Sequence, residues 1–397
     1  MWWDDHRVKK AHAVARWMGA LGIAMSLGLL VWLLCLLLGD ANRAWRAVLI
    51  NFLYFTSLAA GMVTWPAAIT AARGEHWLHD RIRRPALLSL GFAPVCFVVF
   101  FLLFLGRSWW AGWLHDEHLH NGAWLNSWSL FTRDGVALLL FWGMAAFFAL
   151  DSRPQPNKGR AGWLAFVYCA VFSLLGFDLV MALDPHWVSS LFGGYFFITG
   201  MYIGVNGWTF SVLLLDPPAG APFRKDLGKL IVAFSLMSTY MMFCQLIPIW
   251  YESLPEEVRF VIPRLRYTPW NRVSLLLLPT VYLGPLVLLL SNRLKGSITY
   301  LRAITLMVLV GMWFERWWEV TPSLGGKLAI GLPEISMTVV FLAAFIYSRK
   351  LGAYLIPIPE DAPAGSADPG SASHSREGGS IPAGCVSSPA TEEASND

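Results

Sequence analysis

The sequence predicts an all-α integral membrane protein with about ten transmembrane helices. Of its 397 residues, 56% are hydrophobic and only 14% are charged, a balance that would make a soluble domain aggregate. Apolar stretches of about 20 residues recur along the chain, and this is the length that an α-helix needs to cross a bilayer. Basic residues cluster in the short segments between these stretches, which is typical of multi-pass membrane proteins.

Ten apolar stretches are predicted to span the membrane. Several contain Gly or Pro, which membrane helices tolerate when they pack against neighbouring helices. The first stretch is too long for a cleavable signal sequence and lacks a small-residue cleavage site. The predicted spans are residues 13–38, 46–72, 86–106, 130–151, 161–183, 188–215, 228–251, 271–292, 299–319 and 331–349.

The distribution of Lys and Arg predicts the orientation of the chain. Nineteen of the 30 basic residues fall on one side of the predicted spans and ten fall on the other side. The richer side is expected to be cytoplasmic, with both termini on that side. The turn at Asp184–Trp187 is then expected to face outward, which is the periplasm if the cell is Gram-negative. The net charge of +4 is carried by these loops and does not indicate nucleic-acid binding.

The cysteines do not indicate a metal or haem site. Four of the five lie in apolar spans and the fifth, Cys385, lies near the C-terminus. None belongs to a Cys-x-x-Cys or Cys-x-x-Cys-His motif, so iron–sulfur, zinc and covalent haem sites are not expected in this chain. We therefore predict that the chain itself holds no cofactor.

Spans two to five and six to nine are predicted to form two four-helix bundles related by a pseudo-repeat, with spans one and ten as peripheral helices. Span four opens with an aromatic segment that ends at Arg133, and span eight opens with one that ends at Arg272. Span five ends with Asp178, and span nine ends with Glu315. Units four spans apart have the same orientation, so the repeat would be parallel. Chance placement of arginines and acids at helix ends is the alternative.

The predicted domain organisation follows from these bundles. The last segment is rich in Pro, Gly, Ser and Ala and cannot bury a core, so it is expected to be a disordered cytoplasmic tail. The segments are 1–45 (N-terminal segment and first peripheral helix), 46–183 (first bundle), 184–319 (second bundle), 320–356 (second peripheral helix) and 357–397 (tail).

Polar groups inside apolar helices gather around residues 176–200. Asp178 lies within span five, where a charge is costly, and Asp184-Pro185-His186-Trp187 forms the turn to span six. Five polar side chains then recur at helical spacing on one face of span six. A polar stripe in lipid is costly unless it faces protein or water, so this stripe is expected to face the bundle interior. Its members are Tyr195, Thr199, Tyr202, Asn206 and Thr209.

Spans seven and nine are predicted to have polar faces as well. Glu315 and Glu319 are four residues apart, on one face of span nine. Three such helices in a bundle would enclose hydroxyl, amide and carboxyl groups, which can relay protons with ordered water between them. We therefore hypothesise a transmembrane proton path. Its candidate residues are Asp178, Tyr195, Thr199, Tyr202, Asn206, Ser235, Ser238, Gln245, Glu315 and Glu319.

Ion pairing is the alternative interpretation of the charged groups. Arg133 or Arg272 could neutralise Asp178 or Glu315 in buried pairs that fix helix register. Salt bridges on the outer surface could equally explain the acids after span seven, and a turn or cap role explains His186 as well as a functional one. The candidates for outer-face polar contacts and ion pairs are Arg133, Asp134, Asp184, His186, Glu252, Arg264 and Arg272.

The loop 108–129 is rich in Trp and His. It carries His115, Asp116, Glu117, His118 and His120, so a metal site is one interpretation. The spacing lacks the helical ligand geometry of such sites. A solvated loop that rests on the membrane surface is therefore the preferred interpretation.

The motifs together resemble the NrfD-like, polysulfide-reductase-type family of membrane subunits. The resemblance covers nearly all of residues 10–350 and includes the ten spans and the doubled four-helix unit. Its most specific parts are Phe177-Asp178 with the Asp184-Pro185-His186-Trp187 turn and the segment from Glu252 to Arg264, Glu-Ser-Leu-Pro-Glu-Glu-Val-Arg-Phe-Val-Ile-Pro-Arg. Within the family, the sequence is most similar to the ActF-type subunits of alternative complex III, a quinol:cytochrome c oxidoreductase.

The resemblance implies a set of partners and cofactors. A second NrfD-like subunit, an iron–sulfur protein and c-type cytochrome subunits are expected as partners in a bacterial inner membrane, besides the lipid. Quinol, iron–sulfur clusters and haem c are expected in the complex, with quinol oxidised near the outer face. Family members that bind quinone tend to place a polar or His residue at the outer end of span one, whereas Leu29–Leu38 carries neither.

Three functions are compatible with the sequence. The leading hypothesis is a cofactor-free integral subunit of a respiratory quinol:cytochrome c oxidoreductase, with a proton path through its second bundle. The second is a quinone-binding membrane anchor of a polysulfide-reductase-like enzyme. The third is a secondary transporter, because parallel repeats and polar groups at membrane depth also occur in transporters.

Overall fold

The computed structural model describes residues 2–74, 80–115, 124–151, 157–215, 220–252, 255–325 and 329–356. These residues are almost entirely helical and contain no β-strand. Ten helical segments are long and apolar enough to cross a membrane, so the prediction of an all-α membrane protein with ten spans is confirmed. The observed spans agree with the predicted ones to within a few residues at most ends.

The helices follow one another with short connections. Within the described residues, four short 3₁₀ segments lie between the α-helices, and one π-helical segment, Leu278–Leu283, lies between the helices Trp270–Leu277 and Gly284–Leu288. The α-helices are α1 Trp2–Leu38, α2 Ala41–Ala71, α3 Asp80–Leu87, α4 Ala93–Leu105, α5 Arg107–Trp110, α6 Ser127–Ala149, α7 Lys158–Leu179, α8 Phe192–Leu213, α9 Ala221–Glu252, α10 Pro255–Leu265, α11 Trp270–Leu277, α12 Gly284–Leu288, α13 Asn292–Gly296, α14 Ile298–Val320 and α15 Leu332–Leu355.

Side-chain caps define where several spans begin. Asp40 precedes α2 and accepts a hydrogen bond from the backbone nitrogen of Arg43 at 3.2 Å. Asn126 and Asn157 cap α6 and α7 in the same way, through the nitrogens of Trp128 and Gly159. These caps satisfy backbone N–H groups that have no partner in the first helical turn. The helix starts are therefore encoded locally in the sequence.

Eight of the spans pack as two groups of four helices. Helices α2, α4, α6 and α7 contact one another, and α8, α9, α14 and the segment from α11 to α12 contact one another. We call these groups the first and second bundle. The turn Asp184–Trp187 connects α7 of the first bundle to α8 of the second. We call the end of the bundles at which this turn lies the Asp184 end. The pseudo-repeat and the domain boundaries stay predictions.

Helices α2 and α8 join the two bundles by close backbone approach. A Cβ atom on Gly61 of α2 would lie 2.7 Å from the carbonyl oxygen of Gly200, and one on Gly204 of α8 would lie 2.5 Å from the backbone carbon of Gly61. Small residues permit such contacts between membrane helices. The most apolar stretch of α2 is wholly buried, so this helix lies at the centre of the described helices.

Helices α1 and α15 pack on each other, and α15 also packs on α2. At the Asp184 end, Glu334 of α15 accepts hydrogen bonds from Arg43 at 2.7 and 2.9 Å. Only a small part of the most apolar window of α1 is buried. The two helices therefore flank the first bundle, as expected for peripheral helices.

Candidate functional site

The most polar buried cluster of the second bundle surrounds Glu315 of α14. Its carboxyl group is 1% exposed and lies near the Asp184 end of the helix. The oxygen Oε1 accepts hydrogen bonds from the hydroxyl groups of Tyr195 on α8 and Tyr282 in the π-helical segment. The two hydroxyl oxygens are 2.8 Å apart. The second carboxyl oxygen, Oε2, is buried without a hydrogen-bond partner in the described part of the chain.

A buried ion pair, Arg316 with Glu319, follows Glu315 directly on α14. Arg316 donates to both carboxyl oxygens of Glu319, at 2.8 and 2.6 Å, and the side chains are 0% and 1% exposed. Arg316 also donates to the hydroxyl of Thr199 at 2.6 Å and lies over the ring of Phe196. The hydrogen bonds of Arg316 thus go to Glu319 and Thr199 and not to Glu315, which Arg316 affects only through its charge.

Arg264 closes this cluster at the Asp184 end. It is 1% exposed and donates to the backbone carbonyls of Glu319 and Phe260, both at 2.6 Å, and to the hydroxyl of Ser323 at 2.7 Å. Carbonyls at a helix C-terminus lack helical partners and attract cations. Burial lowers the pKa of Arg264, while the Glu319 and Asp184 carboxylates oppose this shift. Arg264 was predicted to make polar contacts or an ion pair at the outer face. In the structure it is buried and caps the C-terminal end of α14.

The π-helical segment turns backbone carbonyls toward the polar stripe. Tyr202 of α8 donates to the carbonyl of Val281 at 2.9 Å, and Ser235 of α9 donates to the carbonyl of Tyr282. A π segment breaks the regular hydrogen-bond pattern, so its carbonyls can serve side chains, and such segments often occur at functional sites. Hydroxyl groups of α8 and α9 thus meet at one segment.

The stripe continues toward the opposite end as buried polar atoms. The amide nitrogen of Asn206 donates to the carbonyl of Tyr202 at 2.8 Å. The amide oxygen of Asn206 and the hydroxyls of Thr209 and Ser238 are buried without a partner in the residues that the structure describes. Buried polar atoms in this state are where bound water completes hydrogen bonds. From Tyr195 to Thr209 the stripe covers about 21 Å, at ~1.5 Å per residue.

A cavity of about 340 Å³ lies against Glu315. Its walls come from α8, α9, α10, α11 and α14 and are mostly apolar and aromatic. The amide nitrogen of Gln245 lines it and has no partner among the described residues. The lining also includes Phe243 of α9 and Leu275 of α11, which are 52% and 72% exposed. Because both residues lie in membrane spans, the cavity is open toward lipid between these two helices.

The first bundle contains a separate buried carboxylate, Asp178. Arg133 of α6 donates to its Oδ2 through two nitrogens, at 3.0 and 2.6 Å. Trp124 donates to Oδ1 at 2.9 Å, and Arg133 lies over the Trp124 ring. Asp134, which is also fully buried, interacts with Asp178. The ion-pair interpretation therefore describes Asp178. Among the described residues, its partners lie on α6 or in the segment just before α6.

The remaining candidates lie at the surface of the Asp184 end. Asp184 forms an ion pair with Arg259 at 3.1 Å, and the carbonyl of Asp184 accepts a hydrogen bond from the backbone nitrogen of Trp187, which closes the predicted turn. His186, Glu252 and Arg272 are exposed. In the described part of the chain, the hydrogen bonds of Glu315 come from Tyr195 and Tyr282 and not from Arg272.

Three site residues were missed by reasoning from the sequence. Tyr282 looked like part of an ordinary apolar span, Arg316 was counted only as an outer basic residue, and Trp124 stood outside the predicted spans. The spacing of Arg316 and Glu319, three residues apart on one helix, was a usable signal. No sequence signal indicated that the π-helical segment would turn Tyr282 toward Glu315.

The histidine-rich loop falls mostly outside the described residues, which exclude 116–123 and the side chain of His115. In the part of the chain that is described, no group of three His, Cys, Asp or Glu side chains is placed to hold a metal ion. No family model matches the sequence, and no curated protein matches it.

Proposed function

We propose that this chain is an integral membrane subunit of a respiratory quinol:cytochrome c oxidoreductase and provides a transmembrane proton path through its second bundle. The observation that carries the proposal is the tyrosine-bound carboxyl group of Glu315. It sits at one end of a buried polar stripe that follows α8 and the π-helical segment. Ionisable groups at membrane depth are costly and are usually functional.

The contacts of Glu315 support proton exchange. Its Oε1 atom is held by two hydroxyl groups, while Oε2 has no partner in the described chain. Arg316, its neighbour in the sequence, donates its hydrogen bonds to Glu319 and Thr199. A carboxyl group held by hydroxyls can gain or lose a proton without breaking an ion pair, and hydroxyl groups and water can carry that proton onward. Asp178 has no such freedom, so we assign it a structural role.

The membership in a complex rests on the resemblance to NrfD-like, ActF-type subunits. The partners would be a second NrfD-like subunit, an iron–sulfur protein and c-type cytochromes, which would hold the clusters and haem c. Neighbouring genes for such proteins would support the proposal, and an isolated gene would favour a secondary transporter. Affinity purification of the full chain in mild detergent should co-purify haem and iron. Purification of a lone, haem-free chain from its native membrane would contradict the assignment.

We also propose that both termini are cytoplasmic and that the Asp184 end faces outward, in a bacterial inner membrane. The excess of basic residues at the other end supports this orientation. Reporter fusions after Lys158 and after Lys350 should report the cytoplasm, and a fusion after His186 should report the outside. A cytoplasmic signal after His186 would reverse the proposed direction of the path.

The proton path is tested with Glu315→Gln in the assembled complex. Gln keeps the size of the side chain but cannot exchange a proton, so proton movement in proteoliposomes should be lost or turnover slowed. Glu252→Gln is the matched control, because Glu252 is an exposed acid at the same end of the bundle. Full proton movement in a stable Glu315→Gln complex would overturn the path.

A further inference from the structure

The cavity beside Glu315 differs from the larger apolar groove on the other side of α14. That groove has a volume of about 870 Å³, lies among α2, α8, α14 and α15, and contains no carboxyl side chain in its lining. The cavity beside Glu315 has less than half that volume but is lined by two buried acids, Glu315 and Glu319, and by Arg264. Ligand sites usually combine apolar walls with a few convergent polar groups.

The cavity is accessible from the lipid. Helix α9 packs against the π-helical segment and α12, and nearer the Asp184 end the lining passes from Phe243 of α9 to Leu275 of α11. Both side chains are exposed within membrane spans. A molecule that uses this opening must therefore be soluble in the bilayer. Its apolar tail would lie between α9 and α11 while its head occupies the cavity.

The charges around the cavity favour a neutral head group. Two carboxyl groups, Glu315 and Glu319, face two guanidinium groups, Arg316 and Arg264, within the same buried cluster. The two signs are balanced. Each nitrogen of Arg264, the arginine that lines the cavity, donates to a backbone carbonyl or a hydroxyl. Arg316 bonds to Glu319 and Thr199; its Nε atom has no partner in the described chain, but Arg316 does not line the cavity. An anionic phosphate in the cavity would therefore meet no arginine nitrogen that lacks a partner in the described chain. A charged head would also be costly to desolvate in such a site.

The unpartnered polar atoms define the chemistry of that head group. Glu315 offers Oε2 and Asn271 offers its amide oxygen as acceptors, and Gln245 offers an amide nitrogen as donor. Aromatic walls, including the stacked pair Trp187 and Phe260 at 4.0 Å, suit a flat ring. A volume of 340 Å³ accommodates a single substituted ring, because small-ligand sites begin at about 300 Å³.

We infer that this cavity binds the head group of a neutral, hydroxylated aromatic lipid, with a ring hydroxyl donating to Glu315. A quinol is the member of that class that the proposed function supplies, and the inference rests on that function for the identity of the ligand. The site lies in the second bundle and does not use span one, whose outer half is wholly apolar. The ring would thus meet the carboxyl group at the end of the proton path.

Photolabelling of the full chain in phosphatidylcholine nanodiscs tests this site without turnover. The probe is a hydroquinone with a decyl tail that carries a diazirine next to the ring, kept reduced with dithionite. Labelled peptides should come from residues 242–249 and 271–278, and excess decyl-hydroquinone should suppress the labelling. Excess decylbenzene, which has the tail but no hydroxyl groups, should not suppress it.

Two matched variants of α11 test the lateral opening. Leu275→Trp fills the opening and should reduce labelling at least about fivefold, whereas Leu276→Trp should leave it unchanged. Leu276 is also exposed, at 64%, but does not line the cavity. Glu315→Gln should weaken competition by decyl-hydroquinone about tenfold, since a neutral amide oxygen replaces a charged acceptor of the ring hydroxyl.

Three outcomes would overturn the inference. They are labelling of the large groove near Trp313, equal suppression by decylbenzene, and equal labelling of the Leu275→Trp and Leu276→Trp variants. Each of these results would leave the proton path intact, because no proton movement is measured. Conversely, normal proton movement in a Glu315→Gln complex would overturn the proposed function and leave the labelling pattern unchanged.

Discussion

The two bundles each bury a carboxyl group near the Asp184 end, but they stabilise it differently. In the first bundle, Asp178 is held by two bonds from Arg133 and one from Trp124. In the second bundle, Glu315 is held by the hydroxyls of Tyr195 and Tyr282, although an arginine is its neighbour in the sequence. That arginine serves Glu319 instead. A buried carboxylate with a dedicated arginine is fixed in its charge, whereas one held by hydroxyls is free to exchange a proton.

The largest effect is expected where both members of an ion pair are fully buried. Arg316→Met leaves Glu319 charged and without its main partner, which should lower the free energy of unfolding by about 5 kcal/mol, the upper end of the range for a broken buried pair. Stability is measured in detergent as the temperature at which the chain loses its monodisperse fraction. Arg272→Met, at an exposed arginine, is the control and should behave as the wild type. Equal stability of the two variants would remove the assigned role of the Arg316–Glu319 pair.

A smaller loss is expected in the first bundle. Arg133→Met should cost about 3 kcal/mol, the lower end of that range, because the Arg133 side chain is 22% exposed and Trp124 still donates to Asp178. Asp178→Asn should cost less, since Arg133 can turn toward the surface. Adding Asp178→Asn to Arg133→Met should restore part of the loss. A double variant as unstable as the sum of its parts would show that the two residues do not act as a pair.

Removing one tyrosine hydroxyl from Glu315 should have a more modest effect. Tyr195→Phe and Tyr282→Phe should each cost about 1–2 kcal/mol, in the range for a hydrogen bond to a charged group. The double variant should cost more than the sum, because Glu315 then loses its last donor in the described chain. Tyr267→Phe, at a side chain that is 60% exposed, is the control. Strict additivity of the two changes would mean that the hydroxyls do not share one acceptor.

The smallest effect is expected for the pair at the surface turn. Arg259→Ala removes the partner of Asp184, but the two side chains are 55% and 14% exposed. Exposed pairs contribute less than about 1 kcal/mol and are screened by salt. The shift in unfolding temperature should therefore be small and should vanish at high salt. A loss as large as that of Arg133→Met would place this turn among the buried ion pairs.

The sequence predicted the spans well because their signal is local. Length and hydropathy alone identify a helix that crosses a bilayer. The stripe on α8 was also predictable, since 3.6-residue periodicity places Tyr195 and Thr199 on one face.

The partners within the site were harder to predict because they depend on three-dimensional packing. Arg133 was one of two arginines considered for Asp178, and only the structure shows that it is the partner. An ion pair with Arg133 or Arg272 was the alternative considered for Glu315, but Arg272 is exposed and Glu315 is bonded to Tyr282. The π-helical segment changes the direction of the side chains after Pro279, and hydropathy does not report such a change. Helix identity was therefore predictable, and side-chain partnership was not.

The most direct test compares Asp178→Asn and Glu315→Gln in the assembled complex. Both substitutions keep the size of the side chain and remove its exchangeable proton. In proteoliposomes supplied with quinol and cytochrome c, the number of protons moved per electron is measured beside turnover. We expect Asp178→Asn to keep the wild-type ratio and Glu315→Gln to lower it. An unchanged ratio in Glu315→Gln, or a loss confined to Asp178→Asn, would contradict the assignment of the proton path to the second bundle.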